Sequence, residues 1–378
     1  MRPETQFFDL GYAAEATGTV LEALASGYCG GHSPFIESAE KNLAARLGCD
    51  FILTTNGTVA LELALRATGV RPGDCVAVSS RSFVATANAV LAVGAVPLFI
   101  SQERSGLGMC PESLRSALDN RPDLKVVVVA HLYGSAPTIR EIASLCEDRG
   151  CVLIEDAAQA FGQSRHGRQL GTWGRFGTFS FFSNKVLACG EGGGIACQQD
   201  IDCRLLAELR YHGAVITDTG DFIELRAGTN ARLNALSAAL LCSQITCVER
   251  LLQARLLLAE HYRILLVQLE QWATLACDDA GAPLSLWCAV LRGPGGKLWR
   301  PEQARRLQLH MRRNGVACRL GMPWLPTLPH LRGFERVNIA DPNRQGVELL
   351  CPIHPGMDYK AVERVVATLC DGLTHGER

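Results

Sequence analysis

Short apolar runs alternate with stretches of helical periodicity from Phe51 to Ile154, and this alternation constrains the fold more than any other feature. FILTT (Phe51–Thr55), VAV (Val76–Val78), VPLFI (Val96–Ile100) and VVVVA (Val126–Ala130) have strand length and are rich in apolar residues. The run Cys151–Ile154 extends the series. A run that is apolar at successive positions has no face to offer water, so it belongs in a sheet covered on both sides. Strands separated by helical segments predict an α/β fold with a mostly parallel central sheet flanked by helices.

The chemistry-bearing residues concentrate between Cys151 and Gly194. The first strand there ends on the acidic pair Glu155-Asp156, and a second β-rich run, Phe176–Phe182, leads to Lys185 and the glycine cluster GEGGG. In an open α/β sheet the ligand crevice lies beyond the carboxyl ends of the strands. An acid and a lysine delivered to that edge can meet. Lysine makes Schiff bases with carbonyl compounds, and pyridoxal phosphate enzymes set an acid against the pyridinium nitrogen. The residues therefore point to Lys185 as the Schiff-base lysine and Asp156 as the ring-nitrogen partner. GEGGG is not a phosphate-binding P-loop, because GxxxxGK[ST] is absent.

Several other functions are disfavoured by the bulk properties. A net charge of -1 offers no electrostatic footprint for nucleic acid or an anionic membrane. No apolar run is long enough to span a bilayer. The 16 cysteines are scattered, without a CxxC pair, and Cys75, Cys151, Cys197 and Cys288 sit inside apolar runs as small hydrophobes. Together with an N-terminus lacking the signal-peptide pattern, this predicts a reduced, cytoplasmic protein and no metal site.

Upstream, residues 13–26 and 34–48 have helical spacing, and GYCGGHSP between them reads as a helix-to-helix turn or a loop lying over a ligand. Asn56-Gly57-Thr58 opens a helix whose free N–H groups and positive dipole end suit a phosphate. Phe83 is either core or a ring laid against a planar ligand. Past Ala196 the chain turns helical, with a loop at 227–241 and an amphipathic stretch, Leu251–Gln271, leading into a smaller α+β part. That part shows a strand at Leu286–Leu291, a helix at Pro301–Asn314 and a last helix from Tyr359. Two domains are expected, 1–245 and 246–378.

The motifs NGTVALELAL, IEDAAQAFG, GTFSFFSNK, GEGGG, GTNARLNALSAA and CPIHPG together resemble the DegT/DnrJ/StrS-type sugar aminotransferases, of fold type I. The resemblance implies pyridoxal 5′-phosphate, with Lys185 as its attachment point and proton shuttle and Asp156 at the ring nitrogen. It likewise implies Gln159 at the ring hydroxyl, Phe83 stacked on the ring, and Gly57, Thr58 and Ser180 around the phosphate. Asn230 is implied to reach the phosphate of a neighbouring subunit, so a homodimer with shared sites is expected. The implied reaction moves an amino group from a donor such as L-glutamate to a keto sugar, typically nucleotide-linked. A cyclitol or other cyclic ketone is the alternative acceptor. A sugar dehydratase, whose relatives carry histidine at the lysine position, and a non-catalytic binding module are the alternative classes. Four stretches depart from the family pattern: Thr229 and Ala231 beside Asn230, Tyr211-His212-Gly213, SQERSGLG after VPLFI, and RLGMPWLPTLPHL. These bear on the substrate side.

Overall fold

The computed structural model describes residues 5–9, 14–27, 29–217, 219–278, 281–339 and 346–375; Ala13 and Tyr28, expected in the first helix and the glycine-rich turn, lie outside them. Helices α1 (Ala14–Ala25) and α2 (Pro34–Leu47) precede the sheet. Ser33 caps α2 by accepting from the Ile36 N–H, Pro34 fits its first turn, and Gly48 stops it at φ 73°.

The expected alternation follows as β1 (Asp50–Thr54), α3 (Gly57–Ala67), β2 (Cys75–Ser79), α4 (Ala85–Ala92), β3 (Val96–Ile100), α5 (Pro111–Asn120), β4 (Val126–Ala130), α6 (Ile139–Asp148) and β5 (Val152–Asp156). A small hairpin, β6 (Ser164–Arg165) and β7 (Arg168–Gln169), leads to β8 (Phe176–Ser180), β9 (Gly193–Cys197) and α7 (Asp200–Arg210). A second hairpin, β10 (Ala214–Ile216) and β11 (Phe222–Glu224), precedes α8 (Ala235–Thr246) and α9 (Val248–Val267). The remainder is β12 (Thr274–Leu275), β13 (Ala289–Arg292), α10 (Pro301–Arg313), β14 (Arg319–Leu320), β15 (Arg336–Val337), β16 (Leu349–Cys351) and α11 (Tyr359–His375).

The large sheet runs β1-β9-β8-β5-β4-β2-β3-β15, and β9 alone is antiparallel to its neighbours. Strand β4 shows why the pattern is apolar throughout. Val127 and Val129 enter one core with α2, α5, α6 and α8, while Val126 and Val128 enter the other with α3, α4 and α7. The three consecutive glycines of GEGGG, Gly192 to Gly194, serve packing: a Cβ on Gly193 would stand 2.3 Å from the Asn56 carbonyl carbon. Only bare backbone lets β9 lie against the turn that opens α3.

A second sheet, β12-β13-β16-β14, packs with α9, α10 and α11 around a third core. The chain enters this part through a 66° bend between α8 and α9, beside the expected boundary at 245–246. We propose that boundary as a division of packing, since β15 returns to pair with β3 of the large sheet. Two local expectations shift. The loop expected over 227–241 is helical from Ala235, because Asn234 caps α8 by accepting from the Ser237 N–H. The strand expected at Leu286–Leu291 begins at Ala289, after Ser285 accepts the Trp287 N–H in a turn. The glycine-rich turn before α2 packs on the chain itself: a Cβ on Gly31 would lie 2.7 Å from that of Arg232. Among the described residues, no single helix is long and apolar enough to cross a membrane.

The two parts are joined by a fully buried ion pair, Arg81 after β2 with Glu348 before β16. Arg81 also donates to the Met322 carbonyl at 3.2 Å. Tyr133 donates to Glu348 at 3.3 Å and accepts from the Met322 N–H at 2.7 Å. Burial alone would raise the Glu348 carboxyl, but the charges of Arg81 and Arg292 outweigh it and hold it below its usual range. Removing one member of such a pair leaves the other charged and buried, which costs about 3–5 kcal/mol. Arg81→Met should therefore lower the urea-unfolding free energy by about that much, and adding Glu348→Leu should return part of it. An Arg81→Met protein as stable as the parent would show that the pair bears no such weight.

Candidate active site

The carboxyl ends of the parallel strands deliver the polar groups, because the loops that follow them open at one edge of the sheet. Glu155 and Asp156 are successive residues of β5, so their side chains leave on opposite faces. Glu155 is fully buried and accepts from the Gly171 N–H at 2.8 Å and the Gly174 N–H at 2.7 Å, with His131 Nε2 at 2.6 Å. It is a structural anchor. Asp156 faces the cavity: one oxygen accepts the Thr86 hydroxyl at 2.6 Å, the other the Ala158 N–H at 3.2 Å. Ser82 Oγ lies 2.8 Å from Thr86 Oγ1. Because Thr86 gives its proton to Asp156, Ser82 donates to Thr86, and the carboxylate is held in one orientation with acceptor capacity left.

Lys185 follows β8 on a turn closed by its own N–H donating to the Phe182 carbonyl at 2.9 Å. The part of the chain built on the second sheet fixes that turn from the other side. Trp287 Nε1 donates to the Asn184 carbonyl at 2.8 Å, and Arg255 Nη2 donates to the Lys185 carbonyl at 3.3 Å. The amine sits 5.0 Å from the centre of the Trp287 ring. Burial drives its pKa down to about 8; the charge of Asp156 opposes the drop without cancelling it. A lysine so placed is a competent nucleophile near neutral pH.

Gln159 is positioned through its carbonyl, which accepts the Tyr133 N–H at 2.7 Å and leaves the NH2 as the remaining donor. Tyr133 makes this contact from φ 59°, a left-handed conformation that costs a non-glycine residue strain. At the other end of the cavity Asn56 caps α3 by accepting from the Val59 N–H at 2.9 Å. The N–H groups of Gly57 and Thr58 precede the helix's own hydrogen-bond ladder and remain to meet a ligand. Ser180 stands beside them, and a Cβ on Gly57 would lie 3.0 Å from its own Cβ.

One cavity of about 520 Å³ is lined by Gly57, Thr58, Phe83, Asp156, Gln159, Ser180 and Lys185. Phe83 is 55% exposed on its wall, which a core aromatic would not be. Asn230 lines no part of it. That residue is exposed, bridges to Tyr211, and accepts from Arg232 Nε at 3.0 Å. The cavity fits pyridoxal 5′-phosphate: a glycine-bordered helix start for a phosphate, an open aromatic face for a flat ring, a held carboxylate and a buried amine.

Thr86, Tyr133, Trp287 and Arg319 also belong to the site, and no sequence pattern marks them. Thr86 and Tyr133 act by holding other residues, which no local pattern announces. Trp287 precedes β13 and Arg319 lies in β14, both of the second sheet, so only the assembled fold brings them in. Arg319 and Met322, both in the atypical RLGMPWLPTLPHL stretch, do line the cavity. Arg319 is half-buried over the Phe7 ring at 4.4 Å, and among the described residues it faces no carboxylate.

The profile of the DegT/DnrJ/EryC1/StrS aminotransferase family matches residues 12–370. A GDP-perosamine synthase of Caulobacter vibrioides is 30% identical over 357 residues, 93% of each chain. One of Vibrio cholerae is 34% identical over 64% of this chain and 65% of its own. With that Vibrio protein and two further curated relatives of other names, the match spans 53–65% of the relatives' length. Among solved structures, the aminotransferase TlmJ of Streptoalloteichus hindustanus superposes with a TM-score of 0.85 at 26% identity, covering 99% of both chains. By profile, by full-length relative and by fold, this chain belongs to the DegT/DnrJ/EryC1/StrS aminotransferase family.

Proposed function

We propose that the protein is a pyridoxal-phosphate-dependent aminotransferase that moves an amino group from L-glutamate to the keto group of a nucleotide-linked sugar in amino-sugar biosynthesis. The observation that carries this reading is a buried amine, Lys185, sharing one cavity with the held carboxylate of Asp156 and a helix start open to phosphate. When bound, the cofactor supplies an electron sink that makes a carbon next to the nitrogen acidic.

The chain's own groups do the rest. Asp156 would stabilise positive charge at the cofactor's ring nitrogen, and Gln159 would offer its NH2 to an oxygen on the ring. Lys185 would hold the cofactor, and its free amine would take and return the proton at the substrate carbon, a role worth about 10²–10⁴-fold. Its burial makes the free amine a base near neutral pH, where an ordinary lysine is protonated. Arg319 is the cation available to an anionic group of donor or acceptor. Lysine at position 185, where the family's dehydratases carry histidine, supports amino transfer over dehydration. The names of the GDP-perosamine synthases support a nucleotide-linked acceptor.

The direct test incubates the pyridoxal-phosphate-loaded protein with L-glutamate and nucleotide-linked keto sugars, with mass detection of the amino sugar. An amine product is expected, and Asp156→Asn should lower its rate about 10²–10³-fold, as loss of one aligned electrostatic partner does. Exclusive formation of a deoxy-keto product, or none with any acceptor, would overturn the reading.

The pH dependence of Lys185 has a definite sign. Only the neutral amine reacts with an electrophile, and it predominates above its pKa. In the cofactor-free protein, acylation of Lys185 should rise with pH through a midpoint near 8. An unperturbed lysine would show that rise near about 10.4. Peptide mapping of the labelled protein reads the site, and a midpoint above 10 would remove the case for an activated lysine.

We further propose a homodimer in which Asn230 of one subunit reaches the phosphate in the other's cavity. Its exposed position outside the cavity of its own chain supports this reading. Losing one hydrogen bond to a charged group costs about 1.5–3 kcal/mol, so Asn230→Ala should weaken cofactor retention roughly ten- to a hundredfold. Mixing Asn230→Ala with Lys185→Ala protein under subunit exchange should restore activity, because one site of each hybrid is then whole. Exchange without recovery would place the contact within one chain.

A further inference from the structure

A second cavity, of about 450 Å³, opens between the loop after β3 and the turn after β13, and it shares no lining residue with the first. That size lies within the usual range for small-molecule sites. Its near wall is SQERSGLG, one of the stretches that departs from the family pattern. Three cations border it: Arg104 from the β3 loop, Lys297 from the turn, and Arg292 at the end of β13.

The acidic residue among them is already committed. The Glu103 carboxylate turns back into its own loop, accepting the N–H groups of Ser105 at 2.6 Å and of Leu107 and Gly108 at 3.1 Å, with the Ser105 hydroxyl as a fourth donor. Arg292 spends Nη2 on the Ser105 carbonyl at 2.8 Å and on Glu348 at 3.3 Å, while its Nε is buried without an acceptor. Trp324, 6% exposed, contributes a wall and likewise buries an indole N–H that meets no acceptor. Among the described residues, the side chains of Arg104 and Lys297 have no ion-pair or hydrogen-bond partner, and both are exposed. Lys297 ends the turn Gly293-Pro294-Gly295-Gly296, and Gly296, at φ 73° with open space where a Cβ would be, leaves the cavity mouth uncovered.

Two unpaired cations from opposite lips, a third behind them and, among the described lining residues, no uncommitted carboxylate make a cavity that attracts negative charge. We propose that it binds a polyanionic small molecule, phosphorylated or polycarboxylate, held between Arg104 of the large domain and Lys297 of the small one, apart from the cofactor cavity. The ligand spans the seam that the Arg81–Glu348 pair holds from inside, and through Arg292 it touches that same pair.

The test uses the cofactor-loaded protein, freed of excess cofactor by gel filtration, and titrates it calorimetrically with inorganic pyrophosphate and, separately, with citrate. Saturable binding of at least one probe is expected, and the pair of titrations tells phosphate from carboxylate preference. Arg104→Ala/Lys297→Ala should weaken it at least tenfold; both side chains are exposed, so the fold is spared. A control losing equal charge elsewhere, Arg115→Ala/Arg140→Ala, should bind as the parent does. Binding of neither probe, equal binding by the double variant, or equal loss in the control would each overturn the proposal.

Discussion

The Arg81–Glu348 pair is the constraint on which the geometry of the cofactor cavity rests. Arg81 leaves β2 just before Ser82 and Phe83, both on the cavity wall, and Glu348 stands just before β16 of the other sheet. Neither charge has access to water, so neither can leave its partner without a large desolvation penalty. Tyr133 and Met322 are bonded into the same cluster, and Tyr133 passes the constraint on to Gln159 through its backbone N–H. A residue expected to meet the cofactor is thus oriented from a buried ion pair that never touches it.

The same trade between burial and charge is resolved differently at Lys185. There burial wins, because Asp156 is engaged by Thr86 and Ala158 and does not form an ion pair with the amine. At Glu348 charge wins, because two guanidiniums face one carboxylate. Both outcomes come from the number and placement of opposite charges around a desolvated group. Arg255 shows a third arrangement. It is buried with only carbonyl acceptors, its pKa falls to about 10, and it ties the backbone of Lys185 to those of Trp287 and Ile353. The lysine's turn is therefore held from the small domain, while its strand belongs to the large one.

Some of this was written locally in the chain and some was not. The apolar runs of β1 to β5 were legible because a strand covered on both faces needs apolar residues at every position, as Val126–Val129 show. Asp156 and Lys185 were legible because they end or follow strands, and strand ends in such a sheet share an edge. The start of α8 was misplaced because its cap, Asn234, opens an alanine- and leucine-rich stretch that is apolar on several sides and so shows no helical stripe.

The sequence by itself thus determined the sheet, its helical cover, the family and the residues that stand along the edge where a cofactor can lie. Those properties depend on periodicity and on residues close together in the chain. Only the tertiary structure decided what surrounds them: that Glu155 anchors a loop while its neighbour faces the cavity, that Trp287 and Arg319 cross from the second domain, and that SQERSGLG borders a separate basic cavity. Each of these depends on groups more than a dozen residues apart becoming neighbours. Burial, charge and hydrogen bonding then act between them in ways that no local pattern encodes.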